Sequence, residues 1–134
     1  MSIRSDLLLL IKDLKTVSYK ISEELPFSTS GNPLYLKNPK KIYVDNETST
    51  VDVLIPIMNG FNVDVEIKTV RIFFANDAKQ IPTDYYTLVR DLRNIKNLVT
   101  NDNYFKRDCV VDVSYENDIM LTTIEMKFTK IYQE

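Results

Sequence analysis

The sequence predicts an α+β fold, a mostly antiparallel sheet with a long bent β-hairpin and two packed helices in the order α-β-β-β-α-β-β. Three observations predict it. Residues 3–25 and 83–99 repeat apolar side chains every third or fourth position, the period of an amphipathic helix. Between and after them apolar and polar residues alternate, the period of a half-buried strand. Asn59–Gly60 separates two such alternating runs, a strong hairpin signal.

At 134 residues the chain fits a single domain, 1–134, and a core of that size folds without disulfides or metal. Its 44% apolar and 27% charged residues place it with globular rather than disordered chains.

The first helix is expected over Ile3–Glu24. Ile3, Leu7, Leu10, Leu14, Val17 and Ile21 line one face, widened by Leu8, Ile11 and Leu25. Ser2 or Ser5 suits the cap, Arg4 sits unfavourably in the first turn, and Pro26 ends the element. The stripe suits packing on the chain's own sheet or a seam against a neighbouring subunit. Residues 26–40 are a loop by their Pro, Ser, Asn and Gly content. Leu34, Tyr35 and Leu36 inside it are either core beneath the loop or an exposed docking patch.

Ile42–Val44 forms a short strand, and Val51, Val53, Ile55 and Ile57 alternate in the next, with Pro56 marking a strand end or edge. After the hairpin, Phe61, Val63, Val65 and Ile67 point inward until the phase flips, and Val70, Ile72 and Phe74 become the apolar set. A one-residue slip exchanges faces, so the ribbon must bulge, bend or change packing surface near Lys68–Val70. Phe73 and Phe74 then point oppositely, so aspartate at one should destabilise the monomer by a few kcal/mol and at the other leave a folded protein that no longer associates. Thr83 or Asp84 caps the second helix, where Tyr85, Leu88, Leu92, Ile95 and Val99 share a face. Cys109, Val111, Val113 and Tyr115 alternate in the penultimate strand and Met120, Ile124, Met126 and Phe128 in the last, about a turn at Glu116–Asp118.

Few kinds of chemistry are equipped for. There is no histidine, one cysteine and two glycines, so the usual bases, thiolate pairs and phosphate loops lack their residues. No catalytic, cofactor-binding or metal-binding residue is expected, and no cofactor. The net charge of −2 argues against specific nucleic-acid binding. Eight tyrosines and six phenylalanines are spread through every element rather than gathered into a stacking platform. Cys109 has no histidine to activate it and suits a reducing compartment. Leu7–Ile11 is an apolar run bounded by Asp6 and Lys12, short of the about 18 residues a membrane span needs, so a cytoplasmic protein that binds no membrane is expected.

Carboxylates do pair along the strands: Asp52 with Asp64 and Glu66, and Asp112 with Glu125. They fall on polar phases, where charge is the solvated face. Asp64-Val65-Glu66-Ile67-Lys68 has the acidic-x-acidic-x-Lys spacing of restriction-type nucleases, with Asp52 as the separate acid. A metal-dependent nuclease is thus one alternative, predicting Mg²⁺-dependent cleavage lost on Asp64→Ala or Lys68→Ala.

The helix Ile3–Glu24, the hairpin Thr50–Ala75 about Asn59–Gly60, the helix Thr83–Val99 and the strand pair Cys109–Ile131 together resemble, over nearly the whole chain, the bacteriophage tail terminator and head–tail joining proteins. That resemblance, one of element order, implies a non-enzymatic virion protein assembled in the host cytoplasm. It implies a homo-oligomeric ring, of six copies, that meets other tail or neck proteins through hairpin and helix surfaces. Candidate interface residues are Leu34, Tyr35, Leu36, Val70, Ile72, Phe73 and Phe74. A small ferredoxin-like binding or inhibitor module would show similar order and differ in remaining small at all concentrations.

Overall fold

The computed structural model describes residues 3–14, 18–57, 61–95 and 104–133, with segments 51–57, 61–64, 105–107 and 131–133 described as backbone. The expected α+β class holds: helices pack on a mostly antiparallel six-stranded sheet. The elements are α1 (Ile3–Lys12), β1 (Lys20–Ile21), α2 (Leu34–Lys37), β2 (Lys41–Val44), β3 (Thr48–Ile57), β4 (Phe61–Asp77), α3 (Tyr85–Arg93), β5 (Phe105–Glu116) and β6 (Ile119–Gln133). Strands follow the order β1-β2-β4-β6-β5, and β3 also pairs with β4. The β1–β2 pair is parallel and every other pair antiparallel.

The first helix is shorter than its spacing suggests. It stops at Lys12, where Asp13 and Leu14 N–H groups bond back three residues to Leu10 and Ile11 carbonyls, a tightened last turn. Thr16, Val17 and Ser18 follow, β-branched or hydroxyl residues that hold a helix poorly. The chain then turns Tyr19 into the core and pairs Lys20–Ile21 with Lys41–Ile42. Val17 lies outside the described residues. The buried stripe is Ile3, Leu7, Leu8 and Ile11, while Leu9 and Leu10 are exposed, so the helix is rotated from the expected face. Arg4 is well placed after all: its Nε donates to the Val44 carbonyl at 2.8 Å and its Nη2 to that of Glu23 at 2.8 Å, tying α1 to β2.

Segment 26–40 is a loop that folds over the sheet. Gly31 takes φ 86°, a left-handed conformation open to glycine, and Ser28 brackets it through bonds with Gly31 and Asn32. The Leu34 N–H donates to the Pro26 carbonyl at 2.7 Å and begins the single turn α2.

The central strand resolves the phase flip without slipping. β4 stays in one register with β6 from Val63–Gln133 to Asp77–Ile119. The irregularities lie elsewhere, between Val53 and Ile55 in β3 and between Lys106 and Asp108 in β5. At its other side β4 exchanges neighbours, β3 as far as Thr69 and β2 at Ile72–Phe73. Val65 is buried on one phase and Val70, Ile72 and Phe74 on the other, so the strand changes packing surface along its length. The hairpin turn at Asn59–Gly60 lies outside the described residues.

α3 begins at Tyr85 rather than Thr83 and turns Tyr85, Leu88 and Leu92 inward, followed by Ile95; Val99 lies outside the described residues. The principal core sits between α1, α3 and one face of the sheet, where Leu7, Ile11, Leu88 and Leu92 meet Val70, Ile72, Phe74, Ile124 and Phe128. The other face carries a smaller cluster of Tyr35, Tyr43 and Phe73, flanked by Leu34, Leu36 and Leu121.

Candidate interaction surface

The expected contact residues fall mostly inside the subunit. Val70, Ile72 and Phe74 are wholly enclosed in the principal core. Tyr35 and Phe73 stack on each other with centroids 5.0 Å apart, and Leu34 and Leu36 close their flanks half-buried. The loop trio is therefore core beneath the loop. Both adjacent phenylalanines belong to the subunit's own packing, because the sheet is covered on each face at this point. An aspartate at either Phe73 or Phe74 would strike a core, so the pair does not separate folding from association.

Exposed apolar side chains gather instead along β5. This strand pairs with β6 on one side, and on its other side no strand follows among the described residues. Cys109 and Val111 are half-buried against the principal core, but Val113 and Tyr115, further along the same face, are 40% and 66% exposed. Val110 on the opposite face is 53% exposed. Tyr86 of α3 stands edge-on to Tyr85 at 5.2 Å and is itself 70% exposed. Tyr85 fixes α3 to the sheet through its hydroxyl, 2.8 Å from the Thr122 Oγ1. Burial raises the Tyr85 hydroxyl's pKa, and Tyr86 and Tyr115 nearby push it the same way.

The sequence pointed to carboxylate pairs that the register separates. Asp52 stands opposite Val65 and Asp64 opposite Val53, successive rungs of the ladder and so out of phase with each other. The lysine of the nuclease-like spacing is engaged in packing: the Lys68 Nζ lies 4.7 Å over the Tyr104 ring and within 4 Å of carboxylates of Glu47 and Glu66. Glu47 in turn accepts from the Ile3 N–H at 3.3 Å, placing negative charge at the start of α1, where the helix dipole favours it. Asp112 and Glu125 do share a face, but Arg71 holds Glu125 at 3.0 Å while Asp112 stands opposite Thr123. Among the described residues no group of three or more potential ligands is arranged to hold a metal.

One buried polar pair lies near the main core. The Tyr19 hydroxyl donates to the Asn76 Oδ1 at 2.6 Å, and Asp84 accepts from the Ser18 N–H at 3.0 Å. Burial pushes the Tyr19 pKa far above its ordinary value, so the group keeps its proton and serves as a donor. Its role is to pin the segment after α1 onto β4.

Sequence reasoning missed Tyr86, Val110, Val113 and Tyr115. The alternation marked Val113 and Tyr115 as facing inward, and they do share the core-side face. Their exposure arises because helix cover ends before the sheet's edge does. No helix among the described residues is long and apolar enough to cross a membrane. No family model matches the chain, and no curated protein matches its sequence.

Proposed function

We propose that this chain is a non-enzymatic structural subunit that associates with copies of itself, in the manner of the tail terminator and head–tail connector proteins it resembles. The observation that supports this reading is the run of exposed apolar side chains along β5, Val113 and Tyr115 on the core-side face and Val110 on the other. Neighbouring exposed apolar groups at a sheet edge favour contact with another surface. A ring of six copies, partners among other tail or neck proteins of a virion, and assembly in a host cytoplasm belong to the same proposal and rest on the resemblance.

The test is the mass of the purified chain by light scattering from micromolar concentration upward, alone and with tube and neck proteins. Multi-subunit species, or assembly onto a tube end, are expected. A concentration-independent monomer that joins neither would sink the reading and favour a small binding module.

A further inference from the structure

The edge of β5 that no strand pairs among the described residues has a charge pattern suited to pairing with itself, and from it we infer that two copies of this chain join antiparallel through β5 across a two-fold axis near Val113. The inference rests on the reading of the chain as a self-associating subunit and specifies how two copies meet.

Parity along the strand decides the register. The acidic residues of the strand are Asp108, Asp112 and Glu116, all even-numbered and on the face away from the helices. The odd positions Cys109, Val111, Val113 and Tyr115 share the core-side face with Met126, Ile124, Thr122 and Met120. A two-fold axis perpendicular to the sheet sets one residue opposite its own copy and keeps core-side faces together. If that residue is even-numbered, carboxylates collide. Centring on Asp112 opposes it to itself and Asp108 to Glu116, while centring on Ser114 or Val110 opposes Asp112 to Glu116 or to Asp108. Like charges directly opposite destabilise an antiparallel pair. If the residue is odd-numbered, no two of these three acids stand opposite each other; with Val113 at the centre the copy's Asp118, which Asp108 would face, lies past the strand's end at Glu116.

Exposure selects among the odd registers. Cys109 and Val111 are already half-buried by their own subunit, whereas Val113 and Tyr115 are not. Centring on Val113 puts Val113 against its copy and Tyr115 against the copy's Val111. On the other face it puts Asp112 opposite the copy's Ser114, a hydroxyl donor, and Glu116 opposite Val110. The same register gives partners to edge N–H and C=O groups that no strand among the described residues takes up. A two-fold pair cannot itself grow into a ring, so ring closure would use a different surface and is tested separately.

The experiment places single cysteines in a Cys109→Ser background at Val111, Asp112 or Val113, and cross-links each with a short bis-maleimide. Val113→Cys should give covalent dimer at least ~10-fold faster than the other two, as self-opposed thiols at high effective concentration do. Val113→Lys should leave melting close to wild type, since the residue is on the surface, and abolish the dimer in light scattering. Fastest linking at 111 or 112, or no preference, overturns the pairing. Larger assemblies without the Val113 link overturn the pairing and leave self-association standing. A wild-type chain that is monomeric throughout, alone and with tube and neck proteins, overturns both.

Discussion

The two faces of the central sheet are packed by different means. Beneath α1 and α3 the side chains are mainly aliphatic, drawn from elements far apart in sequence and closed off from water over the whole contact. On the opposite face, aromatic rings from a single proline-rich segment settle on β2 and β4. Tyr35 stacks on Phe73, and Phe27, itself 39% exposed, stands edge-on to both at 5.7 and 5.6 Å. The first face gains from extent of burial, the second from ring geometry worth about 0.5–1.5 kcal/mol per pair beyond burial. The first therefore holds the whole domain together, and the second holds one loop to it.

Adjacent residues test that difference. Phe74→Ala opens a cavity in the principal core and should cost about 3–5 kcal/mol in denaturant unfolding. Phe73→Ala should cost less, about 2–3 kcal/mol, because Phe27 and the loop can settle into the gap. Hydrogen exchange sharpens the contrast: Phe73→Ala should strip protection from residues 26–40 and leave the β4–β6 ladder protected. Equal losses, with protection falling uniformly in both variants, would show that the two clusters act as one.

The element types were written in local periodicity, and the relations between elements were not. Alternation located β3 to β6 because each strand carries its own inside and outside. The length of α1 was misleading: Leu14, Val17 and Ile21 continue the helical spacing, yet Tyr19 is needed beside Phe74 and Ile21 beside β2, and tertiary pairing overrides the spacing. The placing of Arg4 escaped notice because its acceptors, the carbonyls of Val44 and Glu23, belong to distant segments. The exposed edge was hidden for a similar reason. How far core packing reaches along a strand is a property of the assembled fold, so Val113 and Val111 look alike in sequence and differ in exposure.

A smaller effect probes how the helix-side core tolerates a polar group. The Tyr19 hydroxyl bonds Asn76, whose Nδ2 is buried without a partner among the described residues. Tyr19→Phe leaves the Asn76 carbonyl oxygen unpaired as well and should cost about 1–3 kcal/mol at neutral pH. The pH dependence has a fixed sign. A free tyrosine loses its proton near 10.0, whereas burial keeps the Tyr19 proton to higher pH in the folded chain. The contribution is therefore complete below pH 10 and is lost as pH rises beyond it, since the unfolded state then binds fewer protons. Stability of the wild type should fall above pH 10, and Tyr19→Phe should fall less steeply. Identical slopes would assign the alkaline loss to Tyr85 and Tyr35, whose pKa values burial also raises.

Outside its ring cluster, the second face is held by charge, and there the expected effect is smallest. Arg71 and Glu125 stand directly opposite on β4 and β6, with Nε 3.0 Å from the carboxylate and side chains 46% and 30% exposed. Solvent screens such a pair, and exposed ion pairs contribute about 0–1 kcal/mol. Arg71→Ala should therefore cost under about 1 kcal/mol, and about 1 M salt should erase most of the difference from wild type because screening then acts within about 3 Å. A larger, salt-insensitive loss would mean that the arginine's methylenes cover apolar surface beside Phe73. The ring cluster would then extend further along β4 than its buried members indicate, and the second face would depend on packing as the first does.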